Sequence, residues 1–213
     1  MSAARPFVLG FAVALAVGVG CNKEEPPPAP KATTESPSEA SPTRRVVGPL
    51  SEAEAQALGT MNDRLKAYLE IHEDLEKGLP ELPKEATPQQ IDDNQRIFEK
   101  KMREARKNAK RGEIFTPEAE PVIRRLLASV FAGAEGRQLM ASILDEQPAG
   151  VKLTVNGRYP DTVPVSTVPP EVLQTLPKLT EDLEYRFIGR NLILLDTHAH
   201  VIADFIEDAL PPK

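Results

Sequence analysis

Apolar positions between residues 50 and 147 recur at steps of three and four residues, which predicts helices. The first helix is expected to begin after Ser51, because Ser51 and Glu54 have the spacing of a capping box, and to end at Gly78. Its apolar stripe comprises Leu58, Met61, Leu65, Tyr68, Leu69, His72 and Leu75. We expect His72 to be a packing residue within this stripe.

A second helix is expected between the capping residue Thr87 and Gly112, with Pro88 at its first position. Its inward side is predicted to contain Ile91, Phe98, Met102, Ala105 and Ala109. The opposite side is basic and is expected to face solvent; this basic stripe consists of Arg96, Lys100, Arg103, Lys107 and Lys110. The stripe is either a solvated helix face or a surface that attracts anionic lipid head groups or an acidic partner.

A third helical region is expected after Pro117, continuing past Gly136, which gives three to four helices within 50–147. The rest of the chain, 148–213, changes to the alternating period of strands, apart from one short helix. The predicted segments are 151–155 before an Asn156-Gly157 turn, the helix 171–176, and strands at 183–187, 192–195 and 201–206. The pattern predicts a single α+β domain, 50–213, in which an N-terminal helical bundle precedes a small antiparallel β-meander.

The N-terminal segment has the pattern of a secretory signal peptide over residues 1–20, with Arg5 preceding an apolar run. That run is shorter than the roughly twenty residues that cross a bilayer. The sequence VGVGC, which ends at Cys21, resembles the lipobox of bacterial lipoproteins. The resemblance implies that Cys21 becomes a lipid-anchored first residue, and Asn22 in place of an aspartate favours the periplasm-facing leaflet of the outer membrane.

Residues 21–49 are expected to form a disordered tether behind the lipidated cysteine, because they contain seven prolines and almost no large apolar side chains. The whole chain carries a formal net charge of −6, which argues against a nucleic-acid partner, as does export. The expected partners are the membrane, through the lipid anchor, and an envelope protein.

The stretch 183–206, LEYRFIGRNLILLDTHAHVIADFI, resembles a hairpin-and-strand module of periplasmic nickel and cobalt homeostasis accessory proteins. In that family a Tyr-Arg-x-hydrophobic-Gly segment leads to an apolar strand ending in aspartate. A turn and a second hydrophobic strand containing aspartate follow. The resemblance implies a role in metal homeostasis.

The string DTHAH, residues 196–200, is similar to the metal-binding His-x-His of amidohydrolase-type barrels. We expect no such barrel, because only thirteen residues follow His200 in this sequence. Two alternatives remain for the string. It is a polar turn between strands, or it is a surface metal site in which His198 and His200 are assisted by Asp196 or Asp204.

No pattern in the sequence predicts catalysis. A Gly-x-Ser-x-Gly elbow and a glycine-rich phosphate loop are both lacking, and the only cysteine is assigned to the lipid. We therefore expect no catalytic residues and no cofactor. The leading hypothesis is a non-catalytic, lipid-anchored envelope protein acting as an interaction or structural module, and the alternative is a metal-homeostasis accessory protein with a His-x-His site.

Overall fold

Helices precede a three-stranded antiparallel sheet, which confirms the predicted α+β class. The computed structural model describes residues 48–145, 151–161, 163 and 168–212. The predicted signal peptide, Cys21 and nearly all of the tether lie outside the described residues. The elements are α1 (Glu52–Glu76), α2 (Pro88–Ala105), α3 (Ala119–Val130), α4 (Gly133–Asp145), α5 (Pro170–Thr175), β1 (Leu183–Ile188), β2 (Asn191–Asp196) and β3 (Val201–Ile206).

Capping boxes begin the first two helices where the sequence predicts them. The Ser51 hydroxyl accepts the backbone N–H of Glu54, and the Glu54 carboxylate accepts the N–H of Ser51 at 2.8 Å. Thr87 and Gln90 make the same pair of hydrogen bonds at the start of α2. None of the helices among the described residues is both long enough and apolar enough to cross a membrane.

The predicted end of α2 at Gly112 is wrong, because the helix ends at Ala105. At Arg106 the backbone leaves helical geometry, and the guanidinium group turns inward. There it donates to the side-chain oxygen of Asn156 and to the carbonyl of Ala203, and it lies 4.6 Å from the ring centre of Tyr68. A buried cation needs such acceptors, and reaching them takes the chain off the helix axis.

The predicted inward face of α2 is correct for Phe98 and Met102 but wrong for Ile91 and Ala105, which are exposed. Asn94 and Glu99 are buried instead. Asn94 donates to the carbonyl of Pro80 at 2.8 Å, and Glu99 pairs with Arg103 and Arg158. The partners of these polar groups offset the cost of burying them, and apolar periodicity alone does not reveal such partners.

The third helical region divides into α3 and α4, which agrees with the upper end of the predicted three to four helices. The division falls at Gly133, whose φ is +79°. A glycine adopts this left-handed conformation without the steric cost that a side chain would impose. The chain therefore turns between the two helices instead of continuing as one.

The sheet has the order β1-β2-β3 and is buried on both faces. Leu192 and Leu194 pack on the side of the helices, whereas Ile193 and Leu195 pack into a second core formed with residues 151–159 and Val163. Because both faces are covered, β2 and β3 read as nearly continuous apolar runs, in which strict alternation is lost.

The extended segment predicted at 151–155 is not a strand. Its apolar side chains pack partly buried against the second core, and the described hydrogen bonds to β3 come later, at Asn156 and Gly157. The predicted turn is confirmed: the N–H of Gly157 donates to the carbonyl of Thr154 at 2.9 Å, and Asn156 has a φ of +60°.

Asp204, a buried residue of β3, holds the loop between α2 and α3 against the sheet. Its carboxylate accepts the backbone N–H groups of Gly112, Ile114 and Phe115 at 3.0, 2.8 and 2.9 Å. Hydrogen bonds to a charged acceptor are about twice as strong as neutral ones. Asp204 therefore fixes a loop that contains no helix or strand.

We expect Asp204→Asn to lower the free energy of unfolding by about 2 to 4 kcal/mol, because an amide NH2 then faces backbone donors in a buried site. Urea unfolding followed by circular dichroism measures the change. Asp63→Asn is the matched control, since Asp63 is exposed and its ion pair within the described part of the chain is with Lys66 on the surface of α1. Equal stability of the two variants would contradict the role assigned to Asp204.

Candidate metal centre

His72 lies near the end of α1 and is fully buried. Its Nδ1 is 2.7 Å from Oδ2 of Asp196, the buried last residue of β2. A carboxylate oxygen accepts hydrogen bonds, so Nδ1 carries the hydrogen and the lone pair of the neutral ring is on Nε2. Asp196 also accepts the Tyr68 hydroxyl and the N–H of Ala199, each at 2.7 Å.

The Nε2 atom of His72 is buried and makes no hydrogen bond within the described part of the chain. The nearest acidic oxygens are Oδ1 of Asp182 at 3.8 Å and Oε2 of Glu76 at 3.9 Å. Both distances exceed the range of a hydrogen bond. A buried polar atom left without a partner costs free energy, so a ligand at Nε2 would stabilise this site.

Three side chains bring potential ligand atoms together at this point. His72, Glu76 and His198 each offer one ligand atom, and these atoms lie within 4.8 Å of one another. We call these three residues the candidate metal centre. Glu76 follows His72 by one helical turn and therefore lies on the same face of α1.

His198 reaches the candidate metal centre from the turn between β2 and β3. Its Nδ1 is 2.8 Å from Oε1 of Glu76. Phe98 of α2 packs edge to face on both imidazoles, with ring centres 4.8 Å from His72 and 5.0 Å from His198. The aromatic ring thus supports the orientation of both rings from the apolar side.

The pKa of His72 is raised above its usual value. Burial, the largest influence, lowers it, but the hydrogen bond and charge of Asp196 and the charges of Asp182 and Glu76 together outweigh burial. The same carboxylate contact makes Nε2 a more basic donor of its lone pair. A histidine held by a carboxylate through its other nitrogen is the usual arrangement of a metal-ligating imidazole.

The structure divides the three residues of the predicted His-x-His site. His198 belongs to the candidate metal centre, whereas Asp196 directs its carboxylate to His72. His200 has a φ of +55° and lies with Nε2 3.5 Å from Asp161. Burial, and then the charge of Arg158, lower the pKa of His200. The two histidines therefore do not converge on one ion.

His72 is buried, as expected of a packing residue. The packing interpretation does not include its hydrogen bond to Asp196. The pattern His72-x-x-x-Glu76 places two ligand types on one helix face, and it is the signal that sequence reasoning could have used. The sequence gives no signal for Asp182, which lies 3.8 Å from Nε2 of His72, because an aspartate before a strand is common in turns.

The basic stripe is exposed along its length, as predicted. Arg96 pairs with Asp92 at 2.8 Å and Arg103 with Glu99 at 3.0 Å, so part of its charge is balanced by neighbouring carboxylates. Lys107 and Lys110 follow the end of α2 and do not extend its face. The stripe is therefore a weaker positive surface than the sequence suggests.

Comparisons with protein-family models, with curated proteins and with solved structures found no match for this chain. The functional assignment therefore depends on the geometry of its own residues.

We expect Tyr68→Phe to lower the free energy of unfolding by about 2 kcal/mol, because it removes a hydrogen bond to the buried Asp196 carboxylate. Tyr185→Phe is the matched control. Its hydroxyl donates to the neutral carbonyl of Pro177 at 3.1 Å, so its loss should cost about 1 kcal/mol. Chemical denaturation measures both, and a smaller cost for Tyr68→Phe than for Tyr185→Phe would refute the ranking.

Proposed function

We propose that this chain is a non-catalytic, lipid-anchored envelope protein whose folded domain binds a divalent transition-metal ion at His72, Glu76 and His198. The observation that carries the proposal is the buried Nε2 of His72, which has no partner among the described residues and faces acidic side chains. A cation at this point would satisfy the nitrogen and the acidic oxygens together.

The chemistry of the ligands supports a transition metal. Imidazole nitrogen suits zinc, nickel, copper and iron, whereas magnesium and calcium prefer sites made of oxygen atoms. The contact between His72 and Asp196 supplies the outer carboxylate that fixes the ring and its tautomer. Two imidazoles and a carboxylate are also a ligand set found in protein zinc sites.

The exposure of the ligands supports exchange of the ion with the surroundings. His72 is fully buried, whereas the side chains of Glu76 and His198 are 43% and 39% exposed. An ion can therefore approach from solvent and meet an anchored nitrogen at the inner end of the site. Structural zinc sites are more often closed and rich in cysteine.

The lipid anchor proposed at Cys21, with the tether up to residue 49, would hold this domain at the periplasmic face of the outer membrane. Its partners there would be the membrane and an envelope protein that delivers or receives the ion. This role agrees with the resemblance of residues 183–206 to metal-homeostasis accessory proteins.

Calorimetry on the purified chain in detergent micelles should show one zinc or nickel ion per chain. His198→Ala and Glu76→Gln each remove one ligand. We expect each to weaken binding by about 100-fold or more, because loss of an outer-shell partner alone costs about 10- to 100-fold.

His200→Ala is the matched control, since it removes an imidazole two residues from His198 that does not face the centre. We expect its affinity to equal that of the unmodified chain. Absence of binding by the unmodified chain, or equal losses in the His198 and His200 variants, would refute the proposed function.

A further inference from the structure

The position of Asp182 follows from the register of the sheet. Leu183 of β1 pairs with Asp196 of β2, so the preceding residue, Asp182, lies opposite Thr197. The N–H and hydroxyl of Thr197 both donate to the carbonyl of Asp182, at 2.9 and 3.1 Å. The backbone of Asp182 is therefore fixed beside the turn that presents His198.

The carboxylate of Asp182 faces the buried nitrogen of the centre. Its Oδ1 lies 3.8 Å from Nε2 of His72, and its side chain is 41% exposed. Because this side chain is partly exposed, its oxygens are accessible to a ligand from solvent.

Two distances from Nε2 of His72 are close to the spacing of a four-coordinate site. Bonds of about 2.1 Å to a tetrahedral ion place neighbouring ligand atoms about 3.4 Å apart. From Nε2 of His72, the oxygens of Asp182 and Glu76 are 3.8 and 3.9 Å away. Between Glu76 and His198 the separation is 2.8 Å. The ligand atoms of His72, Glu76 and His198 lie within 4.8 Å of one another, and Asp182 lies outside this group. Because Asp182, Glu76 and His198 are partly exposed, their side chains can turn towards a bound ion.

We infer that Asp182 supplies a fourth ligand, so that the candidate metal centre takes a four-coordinate ion of the zinc class. This inference rests on the proposed function and deepens it. Two carboxylates balance the charge of a divalent ion, and two imidazoles select against magnesium and calcium, which take six or more oxygen ligands.

With Asp182 as the fourth ligand, the ion would connect separate parts of the fold. His72 and Glu76 belong to α1, Asp182 precedes β1, and His198 lies between β2 and β3. One ion bound by all four cross-links the first helix to two separate turns of the sheet. The four ligands come together only in the folded chain. An ion that binds them therefore stabilises the folded state and raises the thermal midpoint of unfolding.

The test uses the full chain in detergent micelles, zinc calorimetry and the visible absorption of added Co2+. Tetrahedral Co2+ absorbs far more strongly than six-coordinate Co2+, so the spectrum reports the coordination number. We expect strong absorption for the unmodified chain. Asp182→Asn and Asp182→Ala should each weaken zinc binding by about tenfold or more, reduce the Co2+ absorption and reduce the zinc-induced rise in the unfolding midpoint.

Glu181→Gln is the matched control, because it removes a negative charge from the neighbouring residue. We expect its affinity and spectrum to match those of the unmodified chain. Unchanged zinc affinity and Co2+ spectrum in both Asp182 variants would overturn the fourth ligand and leave the proposed function intact. No zinc or Co2+ binding by the unmodified chain would overturn both. Thermal unfolding without metal verifies that each variant is folded.

Discussion

The buried carboxylate of Asp196 is the interaction on which the arrangement of helix and sheet depends. It lies at the end of β2 and accepts hydrogen bonds from Tyr68 and His72 of α1 and from the N–H of Ala199. A charged group in an apolar core is costly unless it is fully hydrogen-bonded. Moving α1 by one residue would break both helix contacts, so Asp196 fixes the register of α1 against the sheet as well as its distance.

Asp204 makes a second connection of the same kind on the neighbouring strand. Its carboxylate holds the loop after α2, while Arg106 donates to the carbonyl of the adjacent Ala203 and stacks on Tyr68. The two acids and the arginine thus join the helical layer to the sheet by directional bonds. Apolar burial stabilises the domain, but it does not distinguish between similar packings of the helices on the sheet. Most alternative packings would leave a buried charge without a hydrogen-bond partner, and they are excluded for that reason.

Local signals made much of the fold predictable. The capping residues Ser51 and Thr87 fix helix starts through contacts three residues apart, and the apolar runs of β2 and β3 are recognisable without knowledge of their partners. The end of α2 was not predictable, because it depends on Arg106 meeting Asn156 and Ala203 far along the chain. For the candidate metal centre, His198 could be proposed from the sequence. The spacing of His72 and Glu76 was also visible in the sequence, but preferring a ligand to a packing residue at His72 required knowing that Asp196, 124 residues away, lies beside it.

An ion is favoured over a packing role for His72 because neither protonation state of its Nε2 atom suits the surrounding side chains. If Nε2 is unprotonated, its lone pair faces the carboxylates of Asp182 and Glu76 and is repelled by them. If it is protonated, its hydrogen points towards oxygens that are 3.8 and 3.9 Å away, too far to accept it. A divalent cation about 2 Å from each ligand atom removes both difficulties, because nitrogen and oxygens then share one positive centre.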